Sequence, residues 1–163
     1  MKKGLTIILV LLGSLCTLAG CGSNSPQDTV SKGLGLDGSK GREVSVYDTH
    51  SGNGDGTSCI VLQFEDTTVL EAIEANTDWG AFPLDETVQT LVYGTETENG
   101  KMGPFLEDRD GNPLVPNIQN GYYRLIDRHT DKGTELLERH SFNFTVGLYD
   151  TDSNTLYYCE LDT

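Results

Sequence analysis

Near the C-terminus, large apolar residues alternate with smaller or polar ones from residue 142 to residue 149. The apolar members are Phe142, Phe144, Val146 and Leu148. Because successive side chains of a strand point to opposite faces, this alternation predicts a strand with one apolar face. The turn-forming segment Asp150–Asn154 then leads into a second β-rich run, Thr155–Leu161, so the pattern predicts an antiparallel hairpin.

Other segments rich in β-branched and aromatic residues complete the predicted sheet. These strands are Val44–Tyr47, Thr57–Phe64, Val88–Tyr93 and Tyr122–Asp127. One short helix is predicted from Thr68 to Asn76, because Thr68 and Glu71 have the spacing of a capping box. The fold class is therefore predicted to be α+β, a mainly antiparallel sheet of about five to six strands with one short helix on one face.

The connection from Gly94 to Gly121 is long, rich in Gly, Pro, Asn and Asp, and without clear periodicity. Connections of this length without secondary structure are unusual inside a compact domain. The segment is therefore predicted either to contain a short hairpin between Gly103 and Val115 or to serve as the functional loop.

The first 21 residues have the organisation of a targeting signal. Lys2 and Lys3 precede an apolar run, Leu5–Leu12, that is too short to span a bilayer. The sequence Leu-Ala-Gly-Cys at residues 18–21 follows, and it resembles the lipobox of bacterial lipoproteins. The resemblance implies cleavage before Cys21, a diacylglyceryl group on its thiol and a lipid anchor at the extracytoplasmic face of the cell membrane. An ordinary secretory signal with a cysteine at the cleavage site is the alternative.

This signal divides the chain into three predicted parts. Residues 1–20 form the signal peptide, residues 21–42 a flexible tether rich in Gly and Ser, and residues 43–163 a single α+β domain. The domain is similar to small bacterial lipoproteins of no assigned activity. Apart from the covalent lipid on Cys21, no cofactor is expected.

The composition is strongly acidic. The chain has 25 Asp and Glu residues against 11 Lys and Arg, a net charge of −14, which becomes −16 when Lys2 and Lys3 leave with the signal peptide. Nucleic acid and anionic lipid headgroups would be repelled, so no nucleic acid is expected to bind, and contact with the membrane is expected through the lipid alone. A protein partner is expected to present a basic surface.

Cys59 and Cys159 are the two cysteines left for the domain, because Cys16 leaves with the signal and Cys21 is lipidated. An even pair outside the cytosol predicts a disulfide, here closing a loop of about 100 residues. Two buried reduced thiols, acting as small apolar residues, are the alternative.

Three histidines, each near a carboxylate, are candidate metal ligands. They are His50, His129 and His140. The last two close repeated acid-Arg-His triplets, and if these triplets pair in a hairpin, Asp127 lies near Arg139. Glu138 then lies near Arg128. Imidazole and carboxylate groups suit a transition metal, but the spacing matches no closed zinc motif, and solvated surface charge is the alternative.

Two loops place Asp, Asp and Asn at alternate positions, as calcium-binding loops do. They span residues 108–112 and 150–154. Neither continues with the Gly at position six and the Glu at position twelve of an EF-hand loop. Asp108 and Asp110 are therefore weak candidate cation ligands, and Asx-rich turns are the alternative.

Aromatic residues supply a candidate binding platform. Its predicted members are Trp79, Tyr122, Tyr123, Tyr157 and Tyr158. Since adjacent strand residues point to opposite faces, one tyrosine of each pair is expected on a face that the single helix does not cover. Such a row would suit a protein or a glycan. The ordinary preference of tyrosine for strands is the alternative.

No segment carries a serine, metallo or cysteine hydrolase motif, so no catalytic residue is assigned. The sequence favours a non-enzymatic, surface-anchored lipoprotein that binds an envelope or extracellular partner. The alternative is a metal-binding module or a metal-dependent envelope enzyme built on His50, His129, His140 and nearby carboxylates. A structural lipoprotein without a small ligand is the third hypothesis.

Overall fold

A computed structural model of the chain describes residues 24–98 and 100–163. The α-helices of these ranges are α1 (Pro26–Leu34), α2 (Thr68–Glu74) and α3 (Glu86–Tyr93). The strands are β1 (Arg42–Asp48), β2 (Gly56–Gln63), β3 (Gly80–Ala81), β4 (Thr95–Thr97), β5 (Gly100–Met102), β6 (Gly121–Asp127), β7 (Asn143–Asp150) and β8 (Thr155–Asp162). A 3-10 helix spans Leu136–Glu138. No helix in the two described ranges is long and apolar enough to cross a membrane.

The main sheet is antiparallel, with the strand order β1-β2-β8-β7-β6-β3, and β4 and β5 pair as a separate hairpin. The predicted C-terminal hairpin is confirmed, since β7 and β8 pair in register from Asn143 opposite Asp162 to Asp150 opposite Thr155. Asn154 in its turn has a φ of 49°, a left-handed conformation that Asn tolerates. The prediction of a mainly antiparallel sheet in an α+β fold is thus confirmed.

Both faces of the main sheet are covered, which corrects the prediction of one helix on one face. The α1 face buries Val30 and Leu34 of α1, Val69 and Ile73 of α2, and Ile60, Leu62, Tyr149, Leu156 and Tyr158 of the strands. The α3 face buries Val88, Leu91 and Val92 of α3, Leu106, Val115 and Ile118 of the segment after β5, and Cys59, Val61, Phe144, Val146 and Leu148 of the strands. Neither face of the central strands is left to solvent.

The segment Val88–Tyr93, predicted as a strand, lies in helix α3. Asp85 caps this helix, because its Oδ1 accepts a hydrogen bond from the Val88 backbone N–H at 2.8 Å. Val88, Leu91 and Val92 follow helical spacing and are at most 1% exposed. The cap and burial against the sheet therefore override the strand preference of the β-branched residues.

The flexible tether predicted over residues 21–42 is corrected where the structure describes it, because residues 26–34 form helix α1. Ser25 and Asp28 make a reciprocal capping box at its start. Gly35 ends the helix in the left-handed region, with a φ of 65°. The Gly and Ser residues that suggested a linker thus include the two caps of a helix.

Helix α2 confirms the helix predicted from Thr68, although its N-terminal contacts differ from the predicted capping box. The N-cap residue is Thr67, whose hydroxyl donates to Oε1 of Glu71 at 2.7 Å. The Thr68 backbone N–H donates to Oδ1 of Asp66 at 3.1 Å. The predicted box is therefore replaced by contacts from the two residues before Thr68.

Most of the long connection after α3 packs against the sheet. Its first part is the β4–β5 hairpin, and from Gly103 onward it packs over the α3 face. The hairpin predicted between Gly103 and Val115 is reduced to a single bridge between Glu107 and Pro113. The connection therefore serves as a second covering layer, and its end leads into β6.

Cys59 and Cys159 lie directly opposite each other in the pairing of β2 with β8. Their Cα atoms are 4.1 Å apart, and both side chains are buried under the α3 face. The sheet register thus brings together the two thiols that the sequence pairs, as a cross-strand disulfide requires.

We expect Leu34→Ala to lower the free energy of unfolding by about 2–4 kcal/mol, because Leu34 is fully buried and its loss leaves a cavity. Lys32→Ala, at an exposed position of the same helix, should change it by less than about 0.5 kcal/mol. Chemical denaturation of the purified variants measures both values. Equal effects of the two substitutions would show that α1 is not part of the core.

We expect joint replacement of Cys59 and Cys159 by Ala to lower the free energy of unfolding by about 2–4 kcal/mol, because the bridge restricts the unfolded chain. In urea denaturation, a reductant should lower the free energy of unfolding of the wild type and leave that of the double variant unchanged. Alkylation and peptide mass mapping of unreduced protein supply the control. Free thiols at both positions would contradict the bridge.

Candidate functional site

A groove of about 650 Å³ opens beside helix α3, between the residues that precede the helix and the end of the long connection. Its apolar lining comes from Phe82, Pro83, Leu84 and Ile118. Its polar lining comes from Gln89, Tyr93, Asn117, Gln119 and Asn120. The volume lies within the range of about 300–1,000 Å³ that is typical of small-ligand sites.

One wall of the groove is fixed by the edge of the sheet. The Phe82 backbone N–H donates to the Gly121 carbonyl at 2.9 Å, directly after β3 pairs with β6. The Phe82 ring meets Tyr123 edge-on, with centroids 6.2 Å apart and an interplanar angle of 84°. Backbone pairing and ring packing together hold Phe82 in place.

The opposite wall is fixed by Tyr93 at the end of α3. Its hydroxyl donates to the Pro116 carbonyl at 2.8 Å and accepts from the Ile118 backbone N–H at 3.1 Å. Burial raises the pKa of Tyr93, so the hydroxyl keeps its proton and its donor role at neutral pH. Tyr93 therefore anchors residues 116–118 to the helix.

The polar lining consists mainly of side-chain amides. Gln119 Nε2 donates to Asn117 Oδ1 at 3.0 Å, and Asn120 Nδ2 donates to Asp152 Oδ2 at 2.9 Å. Among the described residues that line the groove, none carries a charge at neutral pH. A site of this kind can bind through hydrogen bonds and apolar contacts. Tyr93 is the one titratable side chain among the lining residues that the structure describes.

The sequence did not single out these amide residues. Asn117, Gln119 and Asn120 fall at the end of a connection rich in turn-forming residues, where amides ordinarily make turns. Gln89 was assigned to a strand, so its proximity to them could not be inferred. The one available signal was the length of the 94–121 connection, which suggested a functional loop.

The members of the predicted aromatic platform are buried or half-buried, so the platform stays a prediction that their packing does not favour. Tyr122 packs on the α1 face, whereas Tyr123 and Tyr157 pack on the α3 face. Trp79 and Tyr158 are only 8% and 3% exposed. Adjacent tyrosines do point to opposite faces, but each face carries its own covering layer.

Two of the three candidate histidines, His50 and His129, bond to other groups. His129 Nε2 lies 3.1 Å from the Ser141 hydroxyl, and its Nδ1 accepts from the Asp131 backbone N–H at 3.0 Å. His140 is exposed. Within residues 24–98 and 100–163, no group of three or more His, Cys, Asp or Glu residues is arranged to hold a metal ion. The metal hypothesis stays a prediction that this arrangement does not support.

The loop that contains Asp108 and Asp110 has the geometry of an Asx turn. Asp108 Oδ1 accepts from the backbone N–H groups of Asp110 and Asn112 at 2.9 and 2.8 Å, and Oδ2 accepts from Asn112 Nδ2 at 2.9 Å. These bonds, those to Asn112 foremost, hold the pKa of Asp108 below its usual range. Both oxygens of Asp108 thus serve the turn itself.

The two acid-Arg-His triplets pair only in part as predicted. Arg139 Nη1 contacts both carboxylate oxygens of Asp127 at 3.0 Å, and the Arg139 side chain is only 7% exposed. Arg128 instead contacts Asp162 at 2.9 Å and lies 3.7 Å from Glu160. The Arg128 prediction is wrong because that side chain reaches across β7, where it bonds to Thr145, to Asp162 of β8.

Comparison with protein-family models, curated proteins and solved structures finds no match to this chain. The lipobox and Cys21 lie outside the described residues, so the lipid anchor stays a prediction.

His50 bridges two carboxylates at one end of the main sheet. Its Nδ1 lies 2.7 Å from Asp48 Oδ1, and its Nε2 lies 3.2 Å from Asp162 Oδ2. Partial burial lowers the pKa of His50, but the hydrogen bonds to Asp48 and Asp162 outweigh it and raise the pKa above its ordinary 6.5. The protonated ring therefore stabilises the fold below about pH 6.5, and this contribution is lost as the pH rises through the raised value.

We expect His50→Gln to lower the free energy of unfolding by about 0.5–1 kcal/mol at about pH 5.5, and by less at about pH 8.5. The carboxylates stay ionised at both values, because the pKa values of Asp48 and Asp162 are lowered. Urea denaturation at the two pH values gives the measurement, with His140→Gln as the exposed control. A loss that does not depend on pH would contradict the charged bridge.

Proposed function

We propose that this chain is a non-enzymatic binding module that holds an uncharged polar ligand in the groove beside α3. In this proposal a lipid on Cys21 anchors the module to the extracytoplasmic face of a bacterial membrane. The anchor is supported by the resemblance to the lipobox. The binding role is carried by one observation, a groove of ligand size that combines apolar surface with amide side chains and no charge.

Binding is favoured over catalysis by the chemistry of the lining. A hydrolytic site needs a nucleophile or an acid and base of suitable pKa within reach of the substrate. Tyr93, the titratable side chain of the groove, already bonds to Pro116 and Ile118 and has a raised pKa. A protein partner with a basic surface is a separate prediction of the acidic composition and concerns the surface outside the groove.

The test is a charge series of small probes, followed through the side-chain amide signals of the purified chain by NMR. N-acetylglucosamine and N-acetylalanine methylamide are neutral, glucosamine is cationic and glucuronate is anionic. We expect at least one of the two neutral probes to shift the signals of Gln89, Asn117 and Asn120, because its donors and acceptors match amides without a charge to desolvate. The signal of Gln63, at the end of β2 towards the opposite edge of the sheet, is the internal control.

A matched pair of variants tests the same site. Asn117→Asp places a charge in the groove with little change of shape, and we expect it to weaken binding of the neutral probes about tenfold. Asn53→Asp makes the same change in an exposed turn and should have no effect. Unmoved amide signals, or equal shifts by the charged probes, would overturn the proposal.

A further inference from the structure

We propose that the ligand of the groove is a neutral oligosaccharide, an inference that rests on the proposed function and narrows its ligand class. Sugar rings carry several hydroxyl groups that each donate and accept hydrogen bonds, together with faces of C–H groups. The groove offers amides that can bond to the hydroxyl groups and apolar surface that can contact the C–H faces. A neutral polymer of the cell envelope or its surroundings would present this chemistry to an extracytoplasmic domain.

The amides have unused capacity of both kinds. After the bond from Gln119 to Asn117, Gln119 keeps its Oε1 acceptor and Asn117 its Nδ2 donor, among the contacts of the described residues. Asn120 likewise keeps its Oδ1 acceptor after donating to Asp152. The Gln89 side chain makes no hydrogen bond to any residue that the structure describes. These free donors and acceptors match the hydroxyls of a sugar, each of which acts in both roles.

The apolar side of the groove suits the C–H faces of sugar rings. Phe82 is an aromatic ring whose position is fixed against Tyr123, and Pro83 next to it is exposed. The negative face of an aromatic ring attracts the slightly positive hydrogens of C–H groups. Fixed apolar surface costs little conformational entropy when a ligand binds.

A peptide fits the same groove less well. Peptides commonly bind by adding a strand to an open sheet edge. Here the backbone at the base of the groove is already paired, since the Phe82 N–H donates to the Gly121 carbonyl and the Thr151 N–H donates to the Asn120 carbonyl at 3.1 Å. The neutral lining also offers no partner for a charged side chain or terminus.

The experiment is calorimetric titration of the purified chain with matched tetramers. The neutral sugars are cellotetraose and tetra-N-acetylchitotetraose, the anionic sugar is tetragalacturonate, and the peptide is tetra-alanine capped at both ends. We expect at least one neutral sugar to bind, and Asn117→Ala and Phe82→Leu each to weaken it about tenfold. Phe82→Leu keeps apolar volume but removes the ring. Phe105→Leu is its control, because Phe105 packs against Phe142 and is not among the residues that line the groove.

The outcomes separate this inference from the proposed function. Binding of the capped peptide but of neither neutral sugar overturns the ligand class and leaves the proposed function standing. Binding of tetragalacturonate as tightly as the neutral sugars, or of no tetramer at all, overturns both. A neutral sugar that binds equally well to Phe82→Leu and Asn117→Ala does not use the groove and also overturns both.

Discussion

The burial of the central strands on both faces is the constraint on which the rest of the structure depends. Every residue of β7 from Phe144 to Tyr149 is buried, so each face of the sheet needs its own covering layer. Helices α1 and α2 cover one face, and α3 with the segment after it covers the other. The groove follows from this arrangement, because the second layer returns to the sheet at β6, next to the edge strand β3. Its last residues, 117–121, there face Phe82–Leu84.

The sequence predicted the five long strands of the main sheet because strand patterns are local, but it also assigned the residues of α3 to a strand and predicted only one covered face. The alternation in β7 placed Thr145 and Gly147 on the face opposite the predicted apolar one. Thr145 is buried and donates to Oε1 of Glu160 at 3.1 Å. Gly147 marks a close approach of the α1 layer, since a Cβ there would lie 2.9 Å from both Leu34 and Trp79. Small residues in a strand thus signalled tight packing from a second layer, which no local pattern distinguishes from exposure.

The candidate site was less predictable, for a related reason. The functional hypotheses rested on charged and aromatic residues. Many of these residues make contacts that stabilise the fold. His50 lies between two carboxylates, and Arg139 is almost fully buried against Asp127. The groove is instead lined by amides that resemble ordinary turn formers in sequence. Only the tertiary structure places Gln89 of α3 beside Asn117.

The acidity of the chain gives the neutral groove its significance. A surface with far more carboxylates than basic groups repels anions and attracts cations within roughly a Debye length, about 8–10 Å at physiological salt. Neither effect acts on an uncharged ligand, so its binding depends on short-range hydrogen bonds and apolar contacts with a pre-organised lining. Tyr93 pre-organises this lining, because its hydroxyl forms hydrogen bonds that hold residues 116–118 at the end of α3. In the charge-free groove of this acidic domain, the geometry of the lining therefore selects the ligand, and charge does not.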